Sequence, residues 1–132
     1  MTDYVLSFNP KTDLFRAIEG LRQRNVTSAP VLDKDGYLVG VISQWDCVRG
    51  MVHGSYFEEA GGLVDSYMAQ DPMTAYAEDD IVDVAEKMIS RQCHYSIPVV
   101  VDTAAGKKLS GVLSCSDILE MVYRFESGKQ TA

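Results

Sequence analysis

Two four-residue runs carry the clearest chemistry in this sequence. Ser43-Gln44-Trp45-Asp46 and Ser114-Cys115-Ser116-Asp117 each set a hydroxyl three residues ahead of a carboxylate. Each run follows an apolar, strand-like stretch and opens a helical one. At such a junction unpaired backbone amides, the positive helix end and the serine hydroxyl converge on one point and can hold a phosphate. Asp46 and Asp117 can accept hydrogen bonds from two ribose hydroxyls, as carboxylates do in nucleotide sites. The same spacing is close to a capping box, in which the serine oxygen takes the amide three residues on and the acid returns the bond. Both roles are open to these residues, and a ligand can replace the cap.

Competing chemistries are weaker. Cys93-His94 sets a thiol beside an imidazole, yet neighbours in a helix-to-strand connection do not face each other as nucleophile and base must. His53 and His94 are the only histidines, too few for a metal cluster, and Cys47, Cys93 and Cys115 lack ligand spacing. Three cysteines cannot form a disulfide framework, so reduced thiols, at least half buried, are expected. Asp79-Asp80 suits a helix start better than a cation site. Neither GxxxxGK[ST] nor GxGxxG occurs. The expectation is a protein that is not an enzyme.

Charge narrows the partners. Twelve Lys and Arg stand against nineteen Asp and Glu, a net charge of −7, and no basic cluster exceeds Lys107-Lys108. Nucleic acid and anionic membrane surfaces are therefore not expected partners. No run approaches the roughly 20 apolar residues of a membrane span. The first residues show no basic-then-apolar leader, so a cytoplasmic location is expected.

The elements that must position the two runs occur twice. Val5 to Leu32 aligns with Met73 to Val100 at an offset of 68, pairing Ala17 with Ala85, Ser28 with Ser96, Pro30 with Pro98 and Phe8 with Tyr76. After an insertion the offset becomes 71, pairing Gly40 with Gly111, Ser43 with Ser114 and Asp46 with Asp117. Each unit reads β-α-β-β-α. An extended opening (Tyr4 to Phe8; Thr74 to Ala77) leads to a helix with an apolar face of Leu14, Ala17, Ile18 and Leu21, or Ile81, Val84, Ala85 and Met88. A proline-led strand follows, Ala29 to Leu32 or Ile97 to Val101. The turn is Asp33-Lys34-Asp35-Gly36 in the first unit and a longer loop, Thr103 to Lys108, in the second. Return strands Leu38 to Ile42 and Leu109 to Leu113 feed last helices bearing Cys47, Val48 and Met51, or Ile118, Leu119 and Val122. The expected organisation is a first repeat over 1–52, a linker with one short helix over 53–72, a second repeat over 73–125 and a frayed polar tail over 126–132.

In order and duplication these features resemble the cystathionine-β-synthase (CBS) domain, which occurs as tandem pairs called Bateman modules. The resemblance is carried by Ser28-Ala29-Pro30-Val31 and Ser96-Ile97-Pro98-Val99, by the Asp-Gly hairpin, and by Gly40-Val41-Ile42-Ser43 through Asp46 with Gly111-Val112-Leu113-Ser114 through Asp117. Asp65-Ser66-Tyr67-Met68 through Met73-Thr74 looks like the family's lead-in to a repeat. The first repeat lacks one, as a fragment of a longer protein would. The resemblance implies an α+β (α/β) fold, two CBS repeats packed as a pseudo-two-fold pair. It implies a regulatory, ligand-sensing module that binds an adenine nucleotide or adenosyl compound (AMP, ADP, ATP or S-adenosylmethionine) between the repeats, with no obligatory cofactor. By family position Thr27, Ser28, Ala29, Tyr95, Ser96 and Ile97 would line the adenine pocket, beside Ser43, Asp46, Ser114 and Asp117. A homodimer that modulates an enzyme or transporter is implied too, with the last helix, Ile118 to Phe125, offering the surface. The alternative is a structural dimerisation module whose Ser/Asp pairs only cap helices.

The sequence departs from the family where many members place a basic residue between the serine or threonine and the aspartate. Here stand Gln44-Trp45 and Cys115-Ser116. Arg49, His94, Lys107 and Lys108 are conceivable substitutes but read more simply as solvated side chains. Weak charge suits a monophosphate or the sulfonium of S-adenosylmethionine better than ATP. Trp45 is expected to pack at the repeat interface rather than stack on a base.

Overall fold

The computed structural model describes residues 5–56 and 62–131. The first unit comprises α1 (Leu14–Arg24), β1 (Ser28–Leu32), β2 (Leu38–Ser43) and α2 (Gln44–Tyr56). The second comprises α3 (Ile81–Ser90), β3 (Ile97–Thr103), β4 (Gly106–Leu113) and α4 (Cys115–Thr131). Aspartates start the first helix of each unit: Asp13 Oδ1 accepts the Phe15 amide at 2.8 Å and Asp80 Oδ1 accepts the Val82 amide at 2.8 Å. Asn25 (φ 53°) and Gln92 (φ 52°), both left-handed, end them. The Val26 and Cys93 amides then reach back to the Leu21 and Met88 carbonyls at 3.0 and 2.9 Å.

These landmarks correct the repeat alignment in the first half of each unit. Asp13 corresponds to Asp80 and Asn25 to Gln92, an offset of 67, whereas Ser28 and Ser96 keep 68. Leu21 therefore corresponds to Met88 and not to Ile89, whose side chain is 76% exposed. The connection from helix to strand is one residue longer in the second unit.

Each unit forms an antiparallel hairpin with its two helices packed against each other. The expected opening strands are reduced to single parallel bridges, Phe8 to Val31 and Ala75 to Val99. Pro30 and Pro98 sit on the edge where this bridge needs only a carbonyl, and they accept the Phe8 and Ala75 amides at 3.0 and 2.9 Å. The second hairpin is tighter than expected: β3 and β4 pair up to Thr103 and Gly106, leaving a two-residue turn, Ala104-Ala105. Opposite charges explain the extension. Asp102 faces Lys107 across the ladder with an ion pair of 3.0 Å, and the Tyr76 hydroxyl donates to Asp102 at 3.0 Å while accepting from Lys107 Nζ at 2.9 Å.

The segment after α2 belongs to the first core. A 3₁₀ turn, Val64–Ser66, buries Val64 completely beside Leu14, Ala17, Leu21, Val31 and Ile42. Ala69 then pairs with Val41 in both directions, at 3.1 and 2.9 Å. Met73, Ala75, Val84, Cys93, Ile97 and Ile118 make the second core. Residues 126–131, expected as a frayed tail, continue α4. Cys47 and Cys93 are buried, but Cys115, expected at least half buried, is exposed at the start of α4. Burial, with Asp46 adjacent, pushes the Cys47 thiol up to about 11.

The units meet at their strand starts. The Ser96 amide donates to the buried Ser28 hydroxyl at 2.7 Å, and Tyr37 bridges to Lys108 near the hairpin ends. Ser28→Ala leaves a part-buried amide unpaired and is expected to cost about 1–3 kcal/mol in urea unfolding. With a thiol-specific chromophoric reagent at pH 8, Cys115 is expected to label rapidly and Cys47 and Cys93 only as the protein opens.

Candidate functional site

β2 delivers Ser43 to the start of α2, where the expected capping box is complete. The Ser43 amide and hydroxyl both donate to Asp46 Oδ2, at 2.9 and 2.8 Å, and the Asp46 amide returns to Ser43 Oγ at 3.2 Å. Arg49, one turn on, donates to Asp46 Oδ1 at 3.0 Å and to the Tyr67 carbonyl at 3.0 Å. In the second unit the Ser114 amide donates to Asp117 Oδ2 at 2.9 Å and the Asp117 amide to Ser114 Oγ at 3.1 Å.

A cleft of about 560 Å³ opens at the first of these junctions, between the units. Thr27, Ser43, Gln44, Trp45, Asp46 and Ala69 form one side, and Gln92, His94 and Tyr95 of the second unit close the other. Four of the ten residues expected at a ligand site meet here: Thr27, Ser43, Asp46 and Tyr95. Ser28 is spent on the contact with the Ser96 amide. Ala29 and Ile97 are 1% and 0% exposed, in the two cores, and neither lines the cleft. Ser114 and Asp117 are not walls of this cleft and stand at the equivalent junction of the second unit. Tyr95 is anchored by its hydroxyl, which accepts the Met73 amide at 2.9 Å, and burial raises its pKa.

The expectation for Trp45 changes, and those for Lys107 and Lys108 gain detail. Trp45 is not packed at the repeat interface: 70% of it is exposed, and it stands at the cleft mouth. Lys107 is engaged by Tyr76 and Asp102, whose hydrogen bonds push its pKa up to about 12, and Lys108 lies 5.8 Å over the Tyr37 ring. Neither lines the cleft. Gln44 is a wall from within the first Ser-x-x-Asp run, and Ala69 and Gln92 are walls that the motifs did not point to. The signal for the second-unit wall was in the sequence, in the extra residue between Asp80 and Ser96 relative to Asp13 and Ser28.

Two copies of one helix-hairpin-helix unit sharing a cleft define a tandem-repeat module. The chain belongs to the CBS domain family, whose model matches residues 1–53 and 64–124. It is 26% identical over 126 residues to the gamma subunit of the 5'-AMP-activated protein kinase of Saccharomyces cerevisiae, covering 91% of this chain and 38% of that protein. It is 25% identical over 122 residues to an uncharacterized protein of Methanocaldococcus jannaschii, covering 92% of this chain and 41% of that one. The chain thus spans about two fifths of the length of these relatives. Among solved structures, a CBS domain pair in complex with 5'-methylthioadenosine and S-adenosyl-L-methionine superposes with a TM-score of 0.78 at 21% identity, covering 92% of this chain and 93% of that one. CBSX2 of Arabidopsis thaliana in complex with AMP superposes with a TM-score of 0.75 at 24% identity, covering 92% and 90%. No helix among the described residues is long and apolar enough to cross a membrane.

The capping role has a measurable weight. Ser43→Ala and Ser114→Ala are each expected to lower stability by about 0.5–2 kcal/mol in chemical denaturation.

Proposed function

We propose that the chain is a regulatory module that binds an adenine nucleotide or adenosyl compound in the Asp46 cleft and biases a partner protein or domain. The observation that carries this is the make-up of the cleft, in which Ser43 and Asp46 of one repeat face His94 and Tyr95 of the other. A ligand there touches both repeats, so it binds most tightly to one relative placement of them and shifts the population toward it. The helix start and Ser43 suit a phosphate or other polar group, and Asp46 suits the ribose hydroxyls. With Gln44-Trp45 in place of a basic residue, AMP or S-adenosylmethionine fits better than ATP. The solved relatives that hold AMP, S-adenosylmethionine and 5'-methylthioadenosine support this range of ligands.

We further propose a homodimer. Val48 and Val52 on α2, with Leu119 and Tyr123 on α4, are 55 to 69% exposed and form apolar rows that a second copy would cover. Ile118, included in the surface expected from sequence, faces the core instead. The second reading, a structural dimerisation module, is favoured by one observation: both capping boxes are complete within the chain itself.

A thermal-shift series with AMP, ADP, ATP, adenosine and S-adenosylmethionine, and GMP as control, separates the two. Ligand at 100 times its Kd is expected to add about 2.7 kcal/mol, a rise of a few degrees in Tm, with no response to GMP. No rise with any adenosine compound at millimolar concentration would leave the structural reading.

A further inference from the structure

The two junctions that carry Ser-x-x-Asp are not copies of each other in their surroundings. Asn25 and Gln92 close their helices alike, and Ser28 opens β1 where Ser96 immediately precedes β3, but Val26-Thr27 is answered by Cys93-His94-Tyr95. Cys93 takes the part of Val26, its amide closing the helix in the same way. Thr27 is therefore matched by two residues, and both of them, His94 and Tyr95, line the Asp46 cleft. On the facing wall Trp45 is matched in the second unit by Ser116, and Arg49 by Glu120, which is drawn away to Arg124 at 2.7 Å. The Asp46 carboxylate is held at both oxygens, by Ser43 and by Arg49. Among the described residues, Asp117 is held through Oδ2 alone.

We infer that the cleft at Asp46 is the one high-affinity adenosine site of each chain, and that Trp45 and His94 are the specificity-determining residues that separate it from its pseudo-symmetric counterpart at Asp117. This rests on the sensing role proposed above. The exposed Trp45 indole offers a purine a stacking face, which Ser116 does not. His94 adds ring nitrogens from the opposite repeat, able to meet a base edge or a phosphate oxygen. Arg49 and Ser43 keep Asp46 oriented before the ribose arrives, so less freedom is lost on binding.

Isothermal titration of the full chain with AMP, and separately with S-adenosylmethionine, tests this. One equivalent per chain is expected. Trp45→Ser is expected to weaken it about tenfold, the scale of one lost base stack, with Tm unchanged because the side chain is mostly in solvent. His94→Ala is expected to weaken it about fivefold, the scale of one lost hydrogen bond. Two equivalents of equal affinity would overturn the inference and leave the sensing role standing. So would a single equivalent lost in Asp117→Ala but kept in Trp45→Ser. No heat with either compound would overturn both.

Discussion

The hydrogen bond from the Ser96 amide to the Ser28 hydroxyl joins two residues that occupy the same place in their repeats. Equivalent residues can touch only close to the axis that relates them, so this bond marks the pseudo-two-fold of the pair. Ser28 is 5% exposed, so without this bond its buried hydroxyl and the part-buried Ser96 amide would both lose their partner. The strand starts are fixed there. Thr27 and Tyr95, their immediate neighbours, are thereby held at the edge of the cleft, and each brings its own repeat's helix with it. The cleft is a consequence of how two hairpins dock, which is why neither repeat could form it alone.

The same economy governs Asp46. Its carboxylate closes a helix start and is tied to Arg49, which also reaches the Tyr67 carbonyl in the segment between repeats. A ribose that draws on Asp46 competes with bonds the protein already makes, so affinity is set by a difference between two sets of hydrogen bonds. Under the proposed function, structural and sensory uses of the motif would be two states of one group of atoms.

Much of this was legible in the sequence. The duplicated Pro-led strands, the Asp-Gly turn and the paired Ser-x-x-Asp runs identify the unit and place its helix starts, because each depends on local backbone chemistry. The register of α3 was not, since Ala85 and Ile89 match Ala17 and Leu21 in type. Only the N-cap aspartates and the left-handed closures reveal that the true partners lie one residue earlier. The second hairpin was read as a long loop because Thr103 to Lys108 has no strand-like alternation, and the ion pair and tyrosine bridge that zip it need a residue 26 positions away, Tyr76. Trp45 was misplaced for a related reason: a large aromatic ring at a helix start is usually buried, and its exposure depends on what the other repeat leaves open.

The passage from one repeat to the next has a mechanical side. Ala69 lies antiparallel to Val41, bonded in both directions, and Gly40 makes the fit possible, since a Cβ there would come 2.6 Å from Met68 Sδ and 2.7 Å from the Ala69 oxygen. The connection is thus clamped to the strand that ends in Ser43, and Ala69 is itself a wall of the cleft. A displacement of the second repeat would pull on these two backbone bonds, a few residues from Asp46. The covalent connection between the repeats thus runs along the cleft wall.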